Sequence, residues 1–247
     1  MATERISIDA GTRLIVLTGA GISAESGLAT FRGAGGLWEG SRVEDVATPE
    51  AFEADPERVW RFYGARRAGA GAAGPNRAHL AVAEIEARLG DRFLLATQNV
   101  DGLHGLAGSR RLVELHGSLW RSRCSRCEAP PVEDRVVDVA PPLPACDACG
   151  SLMRPDIVWF GEMLDPAHEW AVRRFLKAAG VAGARLVFLA IGTSGNVHPA
   201  AGYVRYAKDL GAETWLANAD EAANARWFDH VVTGPATSVV PALLGLD

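Results

Sequence analysis

Short apolar runs alternate with stretches of helical periodicity along most of this chain. Leu14 to Leu17 is one such run, and Arg13 to Thr18 reads as the first strand. Phe93 to Thr97 and Leu112 to Leu115 read as the second and third, and Asp156 to Phe160 as another. Leu186 to Ile191 is apolar throughout, the mark of a central strand buried on both faces of a parallel sheet. Glu213 to Leu216 and Val231-Val232 supply the last two. Between these runs lie helices. Asp55-Pro56-Glu57 is a helix start, with an acid as cap and Pro at the first helical position. That helix is predicted to reach about Ala68 and to end in the Gly/Ala linker Gly69 to Pro75. Asn76 caps the next, whose predicted apolar face is Leu80, Val82, Ala83, Ile85 and Leu89. Further helices follow Asp165-Pro166, through Trp170, Val172, Phe175 and Leu176, then run over Pro199 to Leu210 and Ala236 to Leu244. Strands that alternate with helices predict an α/β fold with a doubly wound parallel sheet.

The polar clusters fall just after the strands: Gly19 to Gly21, Gln98 to Asp101, His116 to Ser118, Gly192 to Ser194, and Asn218 to Asp220. Open α/β sheets bind ligands at the carboxyl ends of their strands, so one crevice is expected to gather all five. Gly19-x-Gly21-x-x-Ala24 fits the dinucleotide fingerprint, in which glycines admit a pyrophosphate at a helix N-terminus. The fold expected is thus Rossmann-like. No second strand ending in an acid follows about 20 residues on, as a plain dinucleotide fold would have it. Glu25-Ser26-Gly27, Thr30-Phe31-Arg32-Gly33 and a Gly-rich loop to Trp38 read instead as a mobile loop over the cofactor.

With 247 residues, 48% of them hydrophobic, the chain can bury a large core as one domain, or one with a small insert. No apolar run approaches a membrane span, and the N-terminus lacks the basic and apolar regions of a secretory signal. A net charge of −5 argues against nucleic acid as the main partner. All four cysteines lie in one segment: Cys124-x-x-Cys127, eighteen residues, then Cys146-x-x-Cys149. That spacing is a four-thiolate zinc ribbon rather than a disulfide framework, and four sulfurs close the tetrahedron, so the zinc is expected to be structural. Arg121, Arg123 and Arg126 beside it read as a solvated face. Cytoplasmic localisation follows from the reduced cysteines.

GAGIS-x-ESG-x-x-TFRG, QN-x-D at Gln98 to Asp101 and Leu115-His116-Gly117-Ser118 together resemble the sirtuins, NAD-dependent protein lysine deacylases. The likeness extends over about residues 12–245. It implies a Rossmann-like NAD domain (1–36, 76–119 and 157–247) and a small domain of helices and zinc ribbon (37–75 and 120–156). It implies that NAD meets Gly19, Ala20, Gly21, Ile22, Glu25, Thr30, Phe31, Arg32 and Trp38. Gln98, Asn99, Val100 and Asp101 would line the nicotinamide side, and Gly192, Thr193, Ser194, Asn218, Ala219, Asp220 and Ala236 the adenosine side. Val158, Trp159, Phe160, Gly161 and Glu162 would pair with the substrate backbone as an added strand, with a core strand as the alternative reading. In the implied reaction the acyl-lysine oxygen attacks C1′ of the nicotinamide ribose and nicotinamide leaves. His116, aided by Asn99 and Asp101, takes a proton from a ribose hydroxyl, and water completes the release of lysine and O-acyl-ADP-ribose. A neutral imidazole suits that task. Asp101 also reads as the cap of a short helix over Leu103 to Leu106, and His198 as wall.

Tyr63-x-x-Arg66 lies on one helix face, where a phenol beside a guanidinium can receive a carboxylate. A core Tyr and a solvated Arg are the alternative. Arg67 is expected to point elsewhere. The pair resembles the signature of class III sirtuins, which remove succinyl, malonyl and glutaryl groups, and Ala47 stands where that class has a small residue. Bacterial members implied by VEDVATPEAF, FYGARR and GTSGNVHPAAGY also remove acetyl groups, so dual activity on acylated lysines of proteins, by a monomer, is expected. The competing readings are a mono-ADP-ribosyltransferase, a hydride-transferring dehydrogenase and a non-enzymatic ribbon module.

Overall fold

The computed structural model describes residues 5–30, 37–38, 41–182 and 184–246. Phe31 and Arg32 lie outside the described residues, and Trp38 is described only through its backbone. The strands are β1 (Thr12–Thr18), β2 (Leu37–Trp38), β3 (Ser41–Arg42), β4 (Phe93–Thr97), β5 (Leu112–Glu114), β6 (Gly117–Cys124), β7 (Val132–Glu133), β8 (Met153–Ile157), β9 (Arg185–Ile191), β10 (Glu213–Asn218) and β11 (His230–Thr233). The α-helices are α1 (Val43–Val46), α2 (Pro49–Ala54), α3 (Pro56–Ala72), α4 (Arg77–Leu89), α5 (Leu103–Leu106), α6 (Pro166–Ala182), α7 (Tyr203–Asp209) and α8 (Ala236–Leu244).

Six strands form one sheet in the order β11-β10-β9-β1-β4-β5. Every pairing in it is parallel. The chain order reverses between β1 and β9, which places the ligand crevice at their carboxyl ends. Leu14 and Val16 of β1 face one layer, with α4 and α8 residues such as Val82, Ile85 and Val240. Ile15 and Leu17 face the other, with Leu176 of α6 and Val204 of α7. Burial on both faces explains why these strands read as unbroken apolar runs.

A third cluster joins α1, α2 and α3 to the antiparallel sheet β7-β6-β8 through Val46, Phe52, Val59, Trp60, Tyr63, Leu119, Met153 and Trp159.

Helices α3 and α4 and strand β8 each depart from the sequence expectation. Helix α3 runs through Gly69 and Gly71 to Ala72 instead of stopping near Ala68. Each interior glycine costs about 1 kcal/mol against alanine. Tertiary contacts hold the helix nonetheless: a Cβ at Gly64 would lie 2.3 Å from the Val137 carbonyl oxygen, so the strap of chain that follows β7 crosses the helix there. On α4, Leu80 is half exposed, while His79 and Glu86 are buried in its place. Asn76 and His79 form a reciprocal cap, and Glu86 Oε1 accepts from the Arg110 and Arg111 amides. Strand β8 ends at Ile157, earlier than Phe160. The Val158 amide still donates to the His116 carbonyl, but the Phe160 amide turns to the Ala47 carbonyl, which draws the chain out of the sheet.

Candidate active site

The loops after β1 and β9 meet backbone to backbone. The Gly21 amide donates to the Gly192 carbonyl at 2.8 Å, and a Cβ on Gly21 would lie 2.6 Å from Gly192 Cα. A Cβ on Gly192, whose φ is +62, would lie 2.3 Å from the Ile22 nitrogen. The glycines are therefore required by this loop-to-loop contact before any pyrophosphate is considered. Residues Ala20–Ser26 form a 3-10 helix that ends at Gly27 in the left-handed region. Ile22 is fully buried beneath it. Glu25 is engaged elsewhere: its two carboxylate oxygens accept from the Thr237 amide and hydroxyl at 2.9 and 2.6 Å, in the first turn of α8 beside Ala236. Thr30 is half-buried.

Gln98 to Asp101 leave β4 alongside this turn. Gln98 Nε2 donates to Thr193 Oγ1 at 3.2 Å, and Asn218 Nδ2 donates to the Thr193 and Asp220 carbonyls at 3.0 and 2.8 Å. The segments after β4, β9 and β10 are thus stitched together, with Ser194, Ala219 and Asp220 exposed at the edge. Asn99 Nδ2 uses both hydrogens, on the Gly19 carbonyl and on Ser23 Oγ, each at 3.2 Å. Its side chain therefore offers a ligand only the carbonyl oxygen. Ser23 in turn donates to Asp101 Oδ2 at 2.7 Å, while Oδ1 accepts from the Leu103 amide at 2.9 Å. Asp101 thus binds the first amide of α5, although the N-cap position of that helix is Gly102, and is tied at the same time to the turn after β1. Val100 is buried, and its carbonyl accepts from the Leu119 amide.

His116 follows β5 and lies 3.1 Å from the Gln98 carbonyl through Nδ1. A carbonyl only accepts, so Nδ1 carries the proton and Nε2 keeps its lone pair. Burial lowers the pKa of this imidazole below its ordinary value. His116 is thus a neutral imidazole at neutral pH with a fixed tautomer. His198 is exposed.

Sequence reasoning passed over Ser23 and His79 as site residues, although Ser23 lies inside the glycine motif. His79 Nε2 stands 3.4 Å from Ser23 Oγ, and its ring lies 4.8 Å from that of His104. A polar residue facing inward from an amphipathic helix was the available signal.

A second group sits in the third cluster. Ala47 is 1% exposed and Tyr63 is fully buried. Trp159 Nε1 donates to Tyr63 Oη at 3.0 Å. Burial raises the Tyr63 pKa, with the Arg66 charge among the effects opposing it, so the phenol stays neutral beside a cation. Arg66 is half-buried, 5.8 Å from the Phe62 ring centre. Glu162, expected at the substrate backbone, is held by Arg154 at 2.6 and 2.8 Å and accepts from the Trp159 amide at 2.8 Å. Phe160 is exposed, and Gly161 adopts φ +89.

The four cysteine sulfurs lie within 4.8 Å of one another, apart from the sheet crevice. Cys124 and Cys149 are 3.5 Å apart and Cys127 and Cys146 3.7 Å. Sulfurs 2.3 Å from one tetrahedral zinc stand about 3.8 Å apart, so the group fits one zinc ion. The Arg126 and Cys127 amides donate to Cys124 Sγ, as suits a thiolate.

Comparison with known families now bears on this geometry. The model of the Sir2 family matches residues 19–199. The chain belongs to the Sir2 family. Among its Sir2-family relatives, an NAD-dependent protein deacylase of Pyrobaculum aerophilum is 49% identical over 230 residues, covering 93% of this chain and 89% of the relative. An NAD-dependent protein deacylase of Escherichia coli (strain K12) is 48% identical, covering 93% and 80%. The crystal structure of a Sir2 homologue in complex with NAD superposes with a TM-score of 0.84 at 42% identity, covering 97% and 94%. The Sir2 fold accounts for the parallel sheet and for the crevice at its switch point. No helix among the described residues is long and apolar enough to cross a membrane.

Proposed function

We propose that this Sir2-family chain is an NAD-dependent protein-lysine deacylase that removes succinyl, malonyl and acetyl groups. Family membership and the named relatives carry the deacylase part. The finer assignment rests on one observation: a buried, neutral Tyr63 one helical turn from Arg66, beside Ala47 and Trp159. A phenol donor and a guanidinium together suit a carboxylate at the end of an acyl chain.

NAD would enter as co-substrate, with C1′ of its nicotinamide ribose as the electrophile. The Asn99 oxygen would accept from the carboxamide or a ribose hydroxyl. Asp101, fixed by Ser23 and Leu103, would offer its remaining lone pairs on the same side. His116 would take the proton of a ribose hydroxyl on Nε2, while the Gln98 carbonyl keeps the other nitrogen protonated. The segment Val158 to Glu162 would receive the substrate backbone, with the Val158 and Phe160 amides already turned inward to His116 and Ala47. The cysteines would hold zinc as a structural centre, since four sulfurs leave no open position. The protein is read as a monomer, and its acidic balance speaks against nucleic acid as a partner.

The test compares succinyl- and acetyl-lysine versions of one peptide, wild type against Arg66→Met. Succinyl kcat/KM should fall at least about 10-fold, the worth of a hydrogen bond to a charged group, with acetyl turnover retained. Succinyl turnover that survives while acetyl turnover falls would sink the carboxylate-receptor reading.

A further inference from the structure

We propose that Trp159 is a positioning residue for acyl specificity: its indole N–H sets the direction in which Tyr63 donates. The inference rests on the acyl-end reading above and deepens it. Trp159 Nε1 donates to Tyr63 Oη at 3.0 Å, and Trp159 is 2% exposed. A phenol holds its O–H in the ring plane, in one of two opposed directions. An oxygen that accepts from the indole on one side donates its own proton on the other. Acceptance also polarises the phenol and makes it a better donor.

The indole is itself fixed from several sides. The Arg154 guanidinium carbon lies 3.3 Å from its ring centre, and Phe52 packs at 5.5 Å. Arg154 is bound in turn by both oxygens of Glu162, and Glu162 Oε2 accepts the Trp159 amide. The next amide, that of Phe160, donates to the Ala47 carbonyl. One short segment therefore ties together two of the three residues assigned to the acyl end, Ala47 through its backbone and Tyr63 through its hydroxyl. Tyr63 stays neutral because burial disfavours the phenolate, so it meets a carboxylate as a donor and not as a second anion.

The experiment uses Trp159→Phe, which keeps an aromatic ring and loses the N–H. KM and kcat are measured for succinyl- and acetyl-lysine forms of one peptide at saturating NAD. KM for the succinyl peptide should rise about 5- to 10-fold, the size of one neutral hydrogen bond, with kcat within about twofold. The acetyl peptide, which carries no terminal carboxylate, should lose less in both constants than the succinyl peptide. On a Tyr63→Phe background the same change should add nothing, because Trp159 acts through that hydroxyl. Equal losses on both peptides, or no loss on either, would overturn the inference. If thermal melting shows Trp159→Phe to be unfolded, benzothienylalanine placed at position 159, isosteric and without the N–H, gives the same reading. If Arg66→Met and Tyr63→Phe both spare succinyl turnover, the carboxylate receptor falls and this role with it. If both lower it while the loss of the indole N–H does not, the receptor stands and Trp159 is packing alone.

Discussion

The Ser23 hydroxyl donates to Asp101 Oδ2 at 2.7 Å, joining the turn after β1 to the segment after β4. Ser23 Oγ also accepts from Asn99 Nδ2, so one hydroxyl orients two side chains of the crevice. Ser23→Ala removes a hydrogen bond to a charged group, worth about 1.5–3 kcal/mol. The expected result is a fall of about 10- to 100-fold in kcat/KM for NAD, measured with saturating acyl-peptide. An unchanged value would mean that Asp101 needs no such support.

The acid limb of the pH profile should report His116. Its base form exists above its pKa, and burial lowers that pKa from the ordinary value of about 6.5. Activity should therefore be flat near pH 7 and fall only on acidification, with a midpoint below about 6.5 in kcat/KM. His116→Ala should lower kcat at least about 100-fold. A wild-type limb centred above pH 7 would contradict the assignment.

Stability should decline with acid because of His104. Burial holds its pKa at about 3, and its Nε2 lies 2.9 Å from Thr18 Oγ1. The unfolded imidazole titrates near 6.5, so below that pH the unfolded state binds a proton that the folded state refuses. The stabilisation is complete above about pH 6.5 and is lost toward pH 3, by up to about 1.4 kcal/mol per pH unit. His79, lowered to about 4, acts in the same direction. Urea unfolding at pH 7 and 5 should show a shallower pH slope for His104→Gln than for wild type. Equal slopes would refute the assignment.

Arg67 offers the sharpest stability test. Its side chain is fully buried, with Asp134 at 3.0 Å and the Leu119 and Val136 carbonyls each at 2.7 Å. Asp134→Ala leaves the guanidinium charge in place without its carboxylate, a change that costs about 3–5 kcal/mol. Urea denaturation should show a loss of that size. A loss under about 1 kcal/mol would mean that the carbonyls alone suffice.

Much of this was legible in the residues. Each strand of the large sheet carries its own apolar run, and the strand-end rule alone collects Gly19, Gln98, His116, Gly192 and Asn218 on one rim. The cysteine spacing likewise needs no tertiary knowledge. Arg67 was not legible, because its partners come from β6 and the strap after β7, more than 50 positions away. Leu80 and His79 exchange the places that hydropathy gives them, since Asn76 and Ser23 make an inward histidine affordable. Glu25 lies in the cofactor motif, and its carboxylate also binds Thr237 of α8, a partner known only once the chain has closed.

His116 performs two tasks with separate atoms. Its ring nitrogen Nδ1 meets the Gln98 carbonyl, while its main-chain carbonyl accepts the Val158 amide. Replacing the ring by a methyl group leaves that main-chain tie intact. The silenced protein should therefore still bind acylated peptides without turning them over, so that affinity can be read apart from chemistry.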